Sequence, residues 1–224
     1  MSKIERSQPV NGTGAERDLR HGLRGLRAEQ VEQTRAALIA AGRRLFGTAG
    51  FAATSVEQLA VEARVTTGAL YHHFPNKTAL FEAVFEELHS ELMASSIEAA
   101  AGVTDEVEFL ARGFEAFLDD VLRPDVQRII VIDAPAVLGL ERFIDLDEHH
   151  AFPGIAETLR AASGRGRIRS DDPETLARLL LGALTRGAML IASSTEPEST
   201  RDNVVRSVRV ILDALAARWS DQRT

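Results

Sequence analysis

The chain of 224 residues is long enough to bury a sizeable core, and its composition (45% hydrophobic, 26% charged) is that of a folded domain. The absence of cysteine excludes disulfides, thiolate metal ligands and a cysteine nucleophile, and it favours a cytoplasmic location. We see neither a signal peptide nor an uncharged apolar run long enough for a bilayer, so no membrane partner is expected.

The net charge of −7 is unevenly distributed along the chain. Residues 1–77 carry 11 Lys and Arg against 7 Asp and Glu, a net of +4, whereas residues 78–224 carry 15 against 26, a net of −11. A basic head on an acidic body is the asymmetry expected when only the head meets phosphate groups.

The first 27 residues combine glycines and scattered charges with almost no apolar periodicity, so we predict a flexible arm over residues 1–27. Two roles remain open for its arginines. They either keep the arm soluble or enter a DNA minor groove beside the recognition site. The residues concerned are Arg17, Arg20, Arg24 and Arg27.

Helical spacing begins after the arm, and it predicts helix 1 from about Ala28 to Gly47. Residues 54–57, Thr-Ser-Val-Glu, have the pattern of a capping box, with Thr54 as the N-cap of a short helix 2. Thr66 offers a second N-cap for helix 3, which should end before Pro75. A long amphipathic helix 4 follows.

Two short helices joined by a tight turn and preceded by a supporting helix form a helix-turn-helix, whose second short helix enters the DNA major groove. Thr67 and His72 can address base edges, and Gly68 lets the backbone approach the DNA. Leu70 and Phe74 are predicted to face the core of the head. Residues 28–77 are therefore predicted to be a DNA-binding domain.

The segments 46–51, 54–60, 67–74 and 76–77 together resemble the DNA-binding signature of the TetR family of repressors. The resemblance implies that Thr54 and Ser55 at the start of helix 2, Tyr71 in helix 3 and the Lys77 ammonium contact phosphate. It also implies that the major groove is faced by Thr66, Thr67, Gly68 and His72.

Arg64 departs from the family pattern, because many members have glycine in this turn. If the position requires a positive φ, arginine costs about 1 kcal/mol there, and a phosphate contact would explain its presence. Residues 131–139 are similar to a stretch of actinobacterial members of the family, which suggests an actinobacterial origin.

Beyond Gly102 the patterns stay helical, near residues 104–122, 124–138, 141–162, 172–194 and 198–219, with no alternating strand pattern. The predicted fold class is all-α with about nine helices, the body comprising residues 78–224. Small residues in the penultimate segment and an apolar stripe in the last indicate a two-helix dimer seam. Its predicted contacts are Leu180, Gly187, Val204, Val208, Ile211 and Leu215.

The resemblance also implies a pocket for a small effector within residues 90–195. Candidate apolar lining residues are Met93, Phe114, Phe117, Phe143 and Met189, together with Phe109. Arg128, Asp133 or His89 would orient the ligand. Ordinary core packing is the alternative for each of these side chains. For Phe81, Phe85 and Leu88 on helix 4, core packing against the head is the prediction, and a ligand contact is the alternative.

These patterns predict a homodimeric, effector-released transcriptional repressor that binds a pseudo-palindromic operator, without a cofactor. A constitutive regulator without an effector and a small helical enzyme are the alternatives. No nucleophile elbow, phosphate loop or dinucleotide fingerprint supports the enzyme, so no catalytic residue is assigned. His149 and His150 lie beside acidic residues, but adjacent histidines diverge on a helix, so we predict a solvated surface and no metal site.

Overall fold

A computed structural model describes the backbone over residues 13–220 and the side chains over residues 28–216. The described part of the chain is helical and contains no strand, which confirms the predicted fold class. Its helices are α1 (Thr13–Ala49), α2 (Val56–Glu62), α3 (Thr67–His73), α4 (Lys77–Ala99), α5 (Glu106–Asp120), α6 (Pro124–Val126), a π-helical segment (Gln127–Asp133), α7 (Ala134–Leu138), α8 (Leu140–Gly164), α9 (Pro173–Ala192) and α10 (Pro197–Ser220).

The segment from α6 through the π-helix to α7 is one continuous helix, over the range that the sequence predicts. Counting it as one helix gives nine helices within residues 13–220. Single π turns inside α-helices widen the backbone locally and occur at functional positions. Here the π turn points two side chains at the head, as described below.

Helix α1 begins earlier than the sequence predicts, at Thr13 and not near Ala28, so the last part of the predicted arm has helical backbone. Once a helix is nucleated, each further residue adds one hydrogen bond, so extension does not require an apolar face. The proposed roles of the arm arginines lie outside the residues whose side chains are described. The domain boundaries at residues 27 and 77 stay predictions.

Side-chain N-caps begin three consecutive helices, α2, α3 and α4. Thr66 accepts from the amide of Ala69, which confirms the predicted start of α3, and Asn76 caps α4. The capping box of α2 lies one residue later than predicted. Its members are Ser55 and Gln58, because the Thr54 hydroxyl donates to the Gly50 carbonyl and is not free to cap.

A Schellman motif ends α2 and makes the turn to α3. The Arg64 amide donates to the Val61 carbonyl and the Val65 amide to the Ala60 carbonyl, with Arg64 at φ 57°. Arg64 is the one non-glycine residue with positive φ among the described residues. Because φ is positive at Arg64, the expected cost of about 1 kcal/mol for arginine at this position applies.

The core is continuous from head to body because α4 belongs to both. In the head, Phe46, Phe51 and Phe81 form a triangle with ring centroids 5.3 to 5.7 Å apart. Further along α4, Phe85 packs edge-on against Phe143 of α8 at 6.1 Å. Phe81, Phe85 and Leu88 are fully buried, as predicted, and so are Leu70 and Phe74 of the head.

Replacing Arg64 with glycine should raise the free energy of unfolding by up to about 1 kcal/mol, because glycine adopts positive φ without a Cβ clash. Urea unfolding monitored by circular dichroism measures the change. The control is Arg112→Gly on the exposed face of α5, which should lower the same quantity by about 1 kcal/mol. A destabilised Arg64→Gly variant would contradict the strain argument.

Candidate DNA-binding head and effector cavity

The front of α3 is open to solvent. Thr66, Thr67, Gly68, Tyr71 and His72 are all exposed, while Leu70 behind them is fully buried. A Cβ built on Gly68 meets only the Thr66 hydroxyl, at 3.8 Å, so this surface is also free of overhanging side chains. The residues predicted to face the groove therefore share one accessible face of the head, and their contacts with DNA stay predictions.

The predicted phosphate contacts of helix 2 divide into two cases. Ser55 is exposed at the N-terminus of α2 and remains a candidate. Thr54 is 2% exposed, and its hydroxyl is bonded 2.8 Å from the Gly50 carbonyl oxygen, so the predicted hydroxyl contact of Thr54 with phosphate is wrong. The hydroxyl closes the loop that precedes α2.

Lys77 lies at the start of α4, as predicted, but its ammonium is already engaged. Its Nζ donates to the carbonyl oxygens of Phe51 and Thr54, each at 2.8 Å, and lies 4.1 Å from the centre of the Phe51 ring. An ammonium has three donors, so one remains for phosphate. The structure thus shows a positioning role that sequence reasoning missed, and the phosphate contact stays a prediction.

The loop of residues 50–55, called here the α1–α2 loop, is also held from the body. Asp133 of the π-helical segment accepts from the Phe51 amide at 2.7 Å and from Arg128 Nε at 3.2 Å. Gly50, at φ 83°, lies against the Arg128 guanidinium, where any Cβ would be only 2.1 Å from a guanidinium nitrogen. The predicted ligand contacts of Arg128 and Asp133 are therefore wrong, because these side chains join the body to the head.

An ion-pair network forms a second connection between head and body. Arg43 of α1 binds both Glu91 of α4 and Asp125 of α6, and Arg123 binds the same two carboxylates at 2.9 and 3.2 Å. The hydrogen bond from Arg43 lowers the pKa of Glu91. A displacement of α4 must therefore strain contacts that lead directly to α1.

A cavity of about 290 Å³ lies in the body between α4, α5, α8 and α9. Its wall is mainly apolar, and it includes Met93, Phe109, Leu110, Phe114, Phe117, Ile155 and Leu184. Ile97, Gly154 and Glu157 line it and are exposed, so they mark its opening to solvent. The volume is at the lower end of the range typical of small-molecule sites.

Of the predicted lining residues in the apolar set, Met93, Phe109, Phe114 and Phe117 do line the cavity. Phe143 does not, because it faces Phe85 in the core between α4 and α8. Met189 is also absent from the wall, and its half-buried side chain packs against the hydrophobic core. These two assignments are wrong, and core packing explains both side chains.

One end of the cavity is polar. His89 of α4 is 1% exposed, and neither ring nitrogen has a hydrogen-bond partner within the described residues. Its Nε2 lies 3.6 Å from Asp147 Oδ1, beyond hydrogen-bond distance, and its ring stacks on His150 at 5.0 Å. Asp147 accepts from the Thr185 hydroxyl at 3.1 Å.

Burial sets the charges at this end. Desolvation, aided by His150, lowers the pKa of His89 to about 3, and desolvation raises the pKa of Asp147 to about 6. His89 is therefore neutral at pH 7, so the close approach to Asp147 is not an ion pair. The predicted solvated surface is correct for His149, which is exposed, and wrong for His150, which is half-buried and lines the cavity. No cluster of three potential metal ligands occurs among the described residues.

Sequence reasoning named His89 but missed Asp147, His150 and Thr185. A signal was present on α8, because Asp147, Ala151, Ile155 and Thr158 recur every three or four residues and line the cavity together. Polar residues within an otherwise apolar stripe are a mark of a binding wall. The stripe could be recognised, but its partners on α4 and α9 could not.

Most of the predicted dimer contacts are buried or half-buried inside the single chain, and the contact of any of them with a second copy stays a prediction. Leu180, Gly187 and Val208 are buried within the chain, and a Cβ on Gly187 would approach Val204 at 2.7 Å, so this set joins α9 to α10. Leu215 is half-buried in the same packing, and only Ile211 is exposed. The outward face of α9 and α10 presents Leu179, Gly182, Ala183, Leu190, Val210, Ile211 and Ala214.

Helix α9 is the one described helix with the length and apolar composition of a membrane span. It carries Arg178 and Arg186 and packs one face on α8 and α10. A core helix that packs one face on its neighbours passes the same test of length and composition, and α9 is such a helix.

The exposed front of α3 and the helical body with its cavity define the class of helix-turn-helix DNA-binding proteins. Residues 38–84 match the family described as bacterial regulatory proteins, tetR family, and residues 107–215 match a tetracyclin repressor-like C-terminal domain. A crystal structure of a TetR-family transcriptional regulator from Pectobacterium atrosepticum is 31% identical, with a TM-score of 0.75, and the match covers 84% of this chain and 96% of that one. The chain belongs to the TetR family of transcriptional regulators.

Two further relatives agree with this assignment. The HTH-type transcriptional regulator CymR of Pseudomonas putida is 28% identical over 190 residues, 82% of this chain and 91% of CymR. The structure of RolR in complex with resorcinol is 19% identical, with a TM-score of 0.68, and the match covers 88% of this chain and 97% of RolR. The likeness to RolR is one of fold.

The His89→Phe variant should lose its stability less steeply than the wild type as pH falls. The pKa of His89 is lowered in the folded state, so below about pH 6.5 the unfolded chain takes up the proton first and folding loses free energy. At pH 4.5 the loss attributable to His89 is about 2 to 3 kcal/mol relative to pH 7.

Urea unfolding of both proteins at pH 7 and pH 4.5 measures this difference. The matched control is His149→Phe at an exposed neighbouring position, which should keep the pH dependence of the wild type. Parallel curves for the wild type and His89→Phe would show that His89 does not remain neutral in the fold.

Proposed function

We propose that the protein is a homodimeric repressor that binds a pseudo-palindromic operator through α3 and leaves it when a small, largely apolar effector enters the cavity. The observation that carries the proposal is the exposed Thr-Gly-Tyr-His front of α3, backed by buried Leu70 and Phe74. Family membership supports transcriptional regulation, and the resorcinol complex of RolR supports a small-molecule effector. A cytoplasmic location and an actinobacterial origin stay predictions.

In this proposal Thr67, Gly68 and His72 meet base edges, while Ser55, Tyr71 and Arg64 meet phosphates on either side. Arg64 is exposed beside α3, so its guanidinium is accessible to a phosphate of bound DNA. Two such heads, about 34 Å apart in the dimer, would occupy successive major grooves.

Effector response is proposed to act through α4, the helix shared by both domains. Its first residue, Lys77, holds the α1–α2 loop, while His89 and Met93 form part of the cavity wall. An effector that binds better when α4 is displaced shifts the population toward that state, by no more than its differential affinity. The α1–α2 loop and with it α2 and α3 would then turn away from the DNA.

Dimerisation is proposed through the outward face of α9 and α10. Gly182 and Ala183 are small, so no side chain protrudes from the centre of this face. A Cβ built on Gly182 would meet nothing within 4 Å, which leaves room for a helix of a second copy to pack closely. Leu179, Leu190 and Val210 are each at least 44% exposed in the single chain. Burial of this face would remove an apolar patch that water otherwise covers.

A constitutive regulator without an effector is the alternative, because its head would be identical. The mainly apolar cavity favours the effector-responsive protein, because it offers a small molecule a place beside α4, the helix that belongs to both head and body. A mobility-shift assay with DNA from upstream of the gene, with and without small aromatic compounds, separates the two. A protein–DNA complex that no compound releases would favour constitutive binding.

Tyr71→Phe should weaken binding to operator and to unrelated duplex DNA by a similar factor, about tenfold, because one charge-assisted hydrogen bond to phosphate is lost.

His72→Ala should instead change which operator sequence is preferred. Fluorescence anisotropy with both duplexes measures the two affinities, and His73→Ala, at a less exposed position, is the control. Sequence preference unaffected by His72→Ala would count against a groove contact.

Leu179→Glu combined with Val210→Glu should convert the dimer to a monomer, raising the dissociation constant at least about hundredfold, because buried carboxylates without partners cost several kcal/mol. Sedimentation velocity measures the change. The control is Leu140→Glu, at an equally exposed apolar residue of α8, which should stay dimeric. A dimer that survives the double substitution would place the interface elsewhere.

A further inference from the structure

The polar end of the effector cavity has buried polar atoms that lack a hydrogen-bond partner. His89 is buried and neutral, and neither Nδ1 nor Nε2 has a partner in the described residues. A buried polar group without a hydrogen-bond partner lowers the stability of the fold. Because His89 lies on the cavity wall, a bound ligand can supply that hydrogen bond. Because no hydrogen bond holds the imidazole, its ring can turn toward a ligand without breaking one.

Asp147 faces the same space from α8. Its Oδ2 accepts from Thr185, whereas Oδ1 receives no hydrogen bond from the described residues and lies 3.6 Å from His89 Nε2. This separation is too long for a direct hydrogen bond between the two groups. A group that both donates and accepts would satisfy the pair together, donating to the carboxylate oxygen and accepting from the imidazole N–H.

The remainder of the wall excludes charged ligands. No lysine or arginine lines the cavity, so an anionic effector would lose its hydration without gaining a partner. A primary ammonium donates only, so it would leave the N–H of the neutral His89 imidazole without a partner, and it would lose its hydration inside a mainly apolar wall. The other carboxylate on the wall, Glu157, is exposed at the opening.

Size and lining define the rest of the ligand. A cavity of about 150 Å³ with an aliphatic and aromatic lining holds benzene, so one of 290 Å³ has room for one or two fused rings. Phe109, Phe114 and Phe117 of α5 all lie on the wall, and aromatic side chains favour edge-on or offset contact with an aromatic ligand.

We infer that the effector is an uncharged hydroxylated aromatic compound of one or two rings, whose hydroxyl group binds between His89 and Asp147. This inference rests on the proposed function and names the chemistry of its effector. A phenolic hydroxyl is a stronger donor than an aliphatic one and therefore suits the carboxylate of Asp147. The neutral imidazole of His89 supplies the complementary donor, so the hydroxyl is satisfied in both of its roles.

Isothermal titration calorimetry of the full chain with four probes tests the inference. The probes are 1-naphthol, naphthalene, 1-naphthoate and 1-naphthylmethylammonium, which share a ring system and differ in the polar group. Naphthol should bind at least about tenfold more tightly than naphthalene, since it satisfies two buried groups, and the two ions should bind more weakly still.

Two variants locate the hydroxyl. His89→Phe keeps the stacking on His150 and should reduce the preference for naphthol over naphthalene severalfold, with little loss of naphthalene affinity, because the hydroxyl keeps only its bond to Asp147. Asp147→Asn keeps the shape and should weaken naphthol severalfold through loss of the charged acceptor. His149→Phe, outside the cavity wall, is the matched control and should keep the wild-type preference.

Four results would overturn the inference. They are equal affinity for naphthol and naphthalene, tighter binding of either ion, a naphthol preference that survives both His89→Phe and Asp147→Asn, and no binding by any probe. Operator binding is measured without the probes, so it tests the DNA-binding part of the proposed function independently of these results. Operator release by naphthalene as readily as by naphthol would keep the proposed function and reject only the hydroxyl site.

Discussion

The α1–α2 loop is the constraint on which the position of the DNA-binding face depends. Lys77 holds its carbonyls from α4, Asp133 holds the Phe51 amide from the π-helical segment, and Thr54 closes it internally. Each contact uses a backbone group of the loop, so the loop cannot shift without leaving buried polar groups unpaired. Helix α2 starts immediately after the loop, and α3 follows within one tight turn. The contacts that hold the loop therefore also fix the orientation of α2 and α3 relative to the body.

Helix α4 joins this constraint to the cavity. A single helix transmits a displacement along its length because its backbone hydrogen bonds resist bending, and the ion-pair network around Arg43 adds a second connection to α1. In the proposed function, an effector that forms a hydrogen bond with the unpaired imidazole of His89 is bound by a residue of this same helix. A site that is incomplete without its ligand is well suited to bias two arrangements of the same helices.

Local features of the head were predictable because they depend on neighbours in sequence. The start of α3 at Thr66, the burial of Leu70 and Phe74 and the exposed front of α3 all follow from capping and helical spacing. Thr54 and Ser55 show the limit of such reasoning. Both residues suit an N-cap, and the choice fell to Ser55 because Gly50, with its positive φ, brings a carbonyl within reach of the Thr54 hydroxyl.

The body was predictable as helices but not as surfaces. Periodicity identifies an apolar face without saying whether it meets the same chain or a second copy, so the stripe through Val204 and Val208 was assigned to the dimer although it packs on α5 and α9. Arg128 and Asp133 likewise looked like ligand contacts, until the fold brought residues about 80 positions earlier beside them.

By itself the sequence determined the helical class, the family and the face of α3, because these depend on residues within a turn or two of each other. Only the tertiary structure decided which polar side chains hold the α1–α2 loop, which line the cavity and which apolar residues are left outward. Those outcomes depend on contacts between distant helices, and a hydrogen bond or a packed methyl group exists only once both partners have been brought to within a few ångströms.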